Sequence, residues 1–106
     1  MNKIHIAIST NKIKETVVDY TLRLGVQPCC FIEDEYALWR TNNLNLSIRQ
    51  DPSSTPGSLR HLGWEDPSAI SFSKSIDVNG IVWERFSAQL QADEINNLWP
   101  RAKYHT

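Results

Sequence analysis

Residues 3–9, Lys-Ile-His-Ile-Ala-Ile-Ser, alternate without a break: Ile4, Ile6 and Ile8 point one way, Lys3, His5 and Ala7 the other. A period of two fixes a β-strand with one buried face. Within a few residues the period changes. Ile13, Val17, Tyr20 and Leu24 recur at helical spacing, and Gly25 falls where a left-handed residue closes a helix. Ser9, Thr10 and Asn11 offer a choice of N-cap side chains, so the spacing predicts a helix over 11–24. The strand's aliphatic face then has a helix to cover it, and His5 lies on the other face.

Three further strands are expected in the first half. Gln27 to Ile32 is entered through Pro28, Glu35 to Thr41 follows the turn Glu33-Asp34, and Leu44 to Gln50 follows Asn42-Asn43. In the last of these Leu44, Leu46 and Ile48 alternate with Asn45, Ser47 and Arg49. The order is βαβββ over 4–50. Residues 51–58, Asp-Pro-Ser-Ser-Thr-Pro-Gly-Ser, form a turn-rich link. A second, shorter unit over 59–86 holds strands at Leu59–Glu65, Ile70–Ile76 and Ile81–Phe86, with a turn at Asp77-Val78-Asn79-Gly80. Residues 87–106 supply a C-terminal helix, Ala88 to Leu98, stopped at Pro100. At 106 residues neither half can bury a core alone, so 1–106 is a single domain of α+β class, its strands forming a curved sheet around a cleft.

Charge and apolar content exclude several partners. Eleven Lys and Arg against twelve Asp and Glu leave a net charge of −1 with no basic stretch, which argues against nucleic acid. Apolar stretches such as Ile6-Ala7-Ile8 are far too short to span a bilayer, and the N-terminus has no signal-type apolar segment, so a cytoplasmic protein without membrane contact is expected. The two cysteines, Cys29 and Cys30, are adjacent, and strain in the intervening peptide excludes a bridge between them. They are either a thiol pair for a soft metal or two small apolar residues facing opposite ways on a strand.

Three side chains stand out as a candidate site. His5 and His61 each lie opposite the large aliphatics of their strands, and Glu84 sits between Trp83 and Arg85 in a run otherwise suited to burial. Two imidazoles and a carboxylate on one side of a metal leave positions open for substrate. Each, taken singly, is equally at home as a core or surface residue. Arg49 and Arg40 are candidates for holding an anionic substrate group, or else solvated charges. Trp39, with Trp64 and Trp83, either lines a pocket or packs the core.

The tokens His5-Ile6-Ala7-Ile8, Val18-Asp19-Tyr20-Thr21-Leu22-Arg23-Leu24-Gly25, His61-Leu62-Gly63-Trp64 and Asp77-Val78-Asn79-Gly80-Ile81-Val82-Trp83-Glu84 together resemble the vicinal oxygen chelate superfamily of glyoxalases, extradiol dioxygenases and bleomycin-resistance proteins. Glu35-Tyr36-Ala37-Leu38-Trp39-Arg40 and Asn45-Leu46-Ser47-Ile48 are most similar to its cadmium-induced and organoarsenical-lyase branch. The resemblance spans 4–86. It implies metal ligands at His5, His61 and Glu84, a divalent ion (Fe, Mn, Ni or Zn), a small-molecule substrate, and lyase, isomerase or dioxygenase chemistry. Two departures accompany it. The strand 44–50 offers Asn45, Ser47 and Arg49 where glyoxalases place a fourth, acidic ligand. Only 17 positions separate Gly63 from Gly80, too few for the second unit's helix and one strand, and Cys29 and Cys30 do not match the branch's thiol pair. The shortened half leaves strand edges bare, from which a two-fold homodimer is expected, with Leu98-Trp99 as a contact. The alternatives are a non-catalytic small-ligand binder of the resistance type and a degenerate structural dimer.

Overall fold

The alternating segment forms β1, Lys3–Thr10, in the computed structural model, which describes residues 2–106. The helix α1 follows at Ile13–Leu24, and Gly25, at φ 72°, closes it with its N–H on the Thr21 carbonyl. Its start departs from expectation. None of Ser9, Thr10 or Asn11 is the cap residue; Lys12 is, and its side chain caps nothing. The first turn instead takes an acceptor from across the fold, with the Ile13 N–H donating to Gln50 Oε1 at 2.9 Å and the Lys12 N–H to Thr10 Oγ1 at 3.2 Å.

The remaining elements are β2 (Cys30–Ile32), β3 (Tyr36–Arg40), β4 (Leu44–Gln50), β5 (Ser58–Glu65), β6 (Ser73–Ile76), β7 (Val82–Phe86) and α2 (Ala88–Leu98), then a short 3-10 turn at Pro100–Ala102. The fold is α+β, with one open sheet ordered β2-β3-β4-β1-β5-β7-β6. β1 runs parallel to β4 and antiparallel to β5, so the two halves join along the strand that opens each. Two strands are shorter than the sequence suggests. Residues 27–29 stay outside β2. The segment before β6 is held in a turn, where Asp66 Oδ1 accepts from the N–H and hydroxyl of Ser68 and the Asp66 carbonyl accepts from Ala69 N–H.

Each helix seals a different face. α1 covers the aliphatic side, where Ile13, Ala37, Trp39, Leu46 and Ile48 are buried with Ile6 and Ile8 packed against them. α2 lies on the opposite side over β2 and β3, burying Ala92 and Ile95 against Cys30, Ile32, Tyr36 and Leu38. Each fully buried Leu or Ile among these contributes about 1.5–3 kcal/mol. An 11-residue helix is marginal in isolation, so this packing is what holds α2. Trp99, expected between copies, stacks on Tyr36 of its own chain at 4.9 Å between ring centroids. Cys30 is buried in this layer and Cys29 is exposed, as two small residues facing opposite ways; burial pushes the Cys30 thiol up to about 11, so it stays protonated near neutral pH. Among the described residues no helix is long and apolar enough to cross a membrane.

Candidate metal centre

Sheet register brings the candidate residues to one row. His5 pairs with Asn45 on β4 and Gly63 on β5, and Gly63 pairs with Glu84 on β7, which pairs with Lys74 on β6. The row has a gap at Gly63, which has no side chain. His61, two residues earlier on the same face, fills it. Gly63 is required for a second reason: a Cβ there would overlap the Glu84 carbonyl oxygen and stand 2.9 Å from its carbon. β7 is fixed lengthwise by Asp77, whose Oδ1 accepts from the N–H groups of Asn79 and Ile81 and whose Oδ2 accepts from Trp83 Nε1 at 2.8 Å. Glu84 is thereby set on the His face.

His61 Nε2 stands 3.0 Å from His5 Nε2 and 3.4 Å from Glu84 Oε1. Two ligands held about 2.1 Å from one ion stand about 3.0 Å apart at a right angle and about 3.4 Å apart at the tetrahedral angle. Both contacts therefore suit a shared ion. The third edge is open, since His5 and Glu84 make no ion-pair contact and are linked only through His61. Among the described residues no group of three or more His, Cys, Asp or Glu is gathered closely enough to hold an ion as it stands. Closing the set requires Glu84 to turn, and its other oxygen is held only by the exposed Lys74 at 3.6 Å.

The tautomer of His5 follows from its support. Arg40 donates twice to Glu65, from Nε at 2.7 Å and Nη2 at 2.9 Å, and Glu65 Oε1 accepts from Asn45 Nδ2 at 2.8 Å. That fixes the Asn45 amide, leaving Oδ1 as acceptor, so at 2.8 Å His5 must donate from Nδ1–H. Its Nε2 is then unprotonated and accepts at 3.0 Å from the Nε2–H of His61, a bond that an ion bound between the two would replace. Gln91 of α2 completes the network, exchanging two amide bonds with Asn45. Phe86 closes the back wall edge-on to His5 at 4.8 Å. Burial holds His5 below the usual histidine range, and burial, with His5, Arg60 and Lys74 nearby, brings His61 down to about 4. Both imidazoles are neutral at pH 7, the form a metal takes.

The substrate-binding candidates scatter. Arg40 is committed to Glu65, so it supports His5 and is not free for an anion. Trp39 is fully buried beneath α1, its Nε1 donating to the Val26 carbonyl, on the face away from His5; it is a core residue. Arg49 does lie on the His face, its guanidinium 5.4 Å from the Trp99 ring centroid. Sequence reasoning missed Glu65, Gln91, Lys74 and Arg60. Glu65 shares the parity of His61 along β5 and was readable; Gln91 depends on where α2 docks. No family model matches the chain, and no curated protein matches it.

Proposed function

We propose that the chain is a small glyoxalase-like metal-dependent enzyme of the vicinal oxygen chelate type, with a divalent ion (Fe, Mn, Ni or Zn) held by His5, His61 and Glu84. The observation that carries this reading is the unprotonated Nε2 of His5, oriented through Asn45 and set 3.0 Å from His61 Nε2. The buttress of one arginine, two carboxamides and a carboxylate supports it, because such a network orients a ligand histidine. An ion bound there supplies Lewis-acid polarisation of vicinal substrate oxygens. The chain's own part is to present two neutral imidazoles, to bring in Glu84 as Lys74 lets go, and to shield one side with Phe86. A second reading, a non-catalytic binder of a small ligand, is favoured by α2, which already occupies the His face over β2 and β3 and narrows the room for a substrate.

Metal analysis of protein purified without chelator or His-tag tests the centre. About one equivalent of a transition-type ion is expected, lost in His61→Ala with the fold retained. At a hundredfold excess over Kd that ion stabilises the wild type by about 2.7 kcal/mol. Absence of metal, and equal melting of wild type and His61→Ala under added Fe, Mn, Ni and Zn, would leave only a scaffold.

A further inference from the structure

The register between β1 and β5 slips by one residue: Ala7 faces His61, the next residue Ile8 faces Leu59, and Arg60 has no partner. Such a bulge re-aims the extra side chain. Arg60 is turned onto the His face, where its electrostatic neighbours are Arg49, Tyr36, Glu84 and Glu94, and where it acts on both His5 and His61. It lines a cavity of about 350 Å³ with Ser9, Arg49, Gln50, Asp51 and Pro52. Arg23, Arg40, Arg85 and Arg101 each pair with a carboxylate. Among the described residues Arg49 and Arg60 pair with none and donate no hydrogen bond, although Glu84 and Glu94 are near. Asp51 also borders the cavity, but its Oδ1 is taken by the N–H and hydroxyl of Ser53.

We propose that Arg49 and Arg60 form a binding site for the oxyanion group of a small molecule, a carboxylate or a phosphate-type group, in the cavity that Arg60 lines one residue before His61 on β5. Two unpaired guanidiniums facing one cavity repel each other, and a shared anion removes that repulsion while accepting charge-assisted bonds from both. Arg49 is steadied by Trp99, whose ring centroid lies 5.4 Å from the guanidinium carbon. The Ser9 hydroxyl, 6% exposed as a residue and without a hydrogen bond among the described residues, is a third donor. Together with the proposed metal centre, on which this last step rests, the pair selects an anionic substrate whose other end carries the metal-binding oxygens.

Calorimetric titration of inorganic phosphate and of acetate into chelator-treated protein, at constant ionic strength, tests the anion site apart from the metal. Saturable one-to-one binding of at least one anion is expected, weakened tenfold or more in Arg60→Met and in Arg49→Met and unchanged in Arg23→Met. Phosphate bound more tightly than acetate indicates a phosphoryl or phosphonyl group, and the reverse a carboxylate; either upholds the site. Should Arg60→Met not fold, the Arg49→Met comparison and perturbation of the arginine Nε–H resonances by the anion decide. No saturable binding of either anion, or binding that survives both substitutions, overturns the proposal. So does binding that appears only with added metal and vanishes in His61→Ala, since the anion would then sit on the ion. Phosphate binding in protein that takes up no metal would sink the metal centre and leave the anion site standing.

Discussion

Asn45 is fully buried, with its amide spent on Glu65, Gln91 and the His5 Nδ1–H. Asn45→Ala removes one partner each from Glu65, Gln91 and His5, but Glu65 keeps Arg40 and His5 keeps the backbone carbonyl, so only the Gln91 amide is left unpaired, at about 1–3 kcal/mol of stability by thermal or urea melting. The backbone carbonyl of residue 45, 3.1 Å from His5 Nδ1, still holds the tautomer, but the ring loses the side-chain bond that sets its orientation, so metal affinity should fall about 10-fold, as with other residues that orient a ligand. Asn45→Leu at similar volume separates the effects of shape and hydrogen bonding; equal affinity in all three proteins would mean that the buttress does not orient His5. Acid acts on the same pair. His61 titrates at about 4 folded and near 6.5 unfolded, so between those values the unfolded chain binds more protons. Stability of the metal-free protein is therefore complete above about pH 6.5 and declines as pH falls toward 4, by about 3 kcal/mol at most from this group. The decline should shrink in His61→Asn, and a flat melting temperature from pH 7 to 4.5 in the wild type would contradict it.

At the scale of elements, Gly63 lets β7 approach β5 until the Glu84 backbone occupies the place of a side chain. Gly63→Ala has no flexible neighbour to push aside, so β7 must move or the strands must part. The expected cost is about 3 kcal/mol or more, the upper end of overpacking, with Glu84 carried away from His61 and metal binding lost. A melting temperature within a degree or two of wild type would overturn this. The strands' parity made this row legible: His5, Asn45, His61, Gly63 and Glu65 share a face because each step of two returns to it. Parity failed where the sheet breaks its own rule. Arg60 should sit with the aliphatics, and only the bulge, a pairing property, brings it round. It failed again in β3, where Tyr36 to Trp39 are all buried and offer no alternation to read, so nothing local told that Trp39 lies under α1. The cap on α1 was illegible for a related reason, since Gln50 reaches it from a distant strand.

At the scale of the whole molecule, the two halves of the sheet are unequally protected. β3 is buried on both faces, whereas every residue of the edge strand β6 is exposed. Around that edge Ile70, Ile76 and Val78 are 94%, 72% and 98% exposed. A free strand edge with bare aliphatics beside it is a template for pairing, and no Pro or bulge in β6 blocks it; Lys74 is its single charge. Two copies related by a two-fold axis can pair β6 with β6 antiparallel, continuing the sheet and covering Ile76 and Val78 in one step. In the segment Leu98-Trp99, Trp99 is stacked on Tyr36 of its own chain and Leu98 is half-exposed. Sedimentation at micromolar concentration should therefore give about twice the 12.2 kDa chain mass. Ile76→Lys, which places like charges across the axis beside Lys74, should return the chain to monomer with little change in the metal site, because Glu84 is fixed from β5 and the Asp77 turn as well as from β6. If the wild type sediments as a single chain at those concentrations, the edge is not an interface and its aliphatics are simply tolerated.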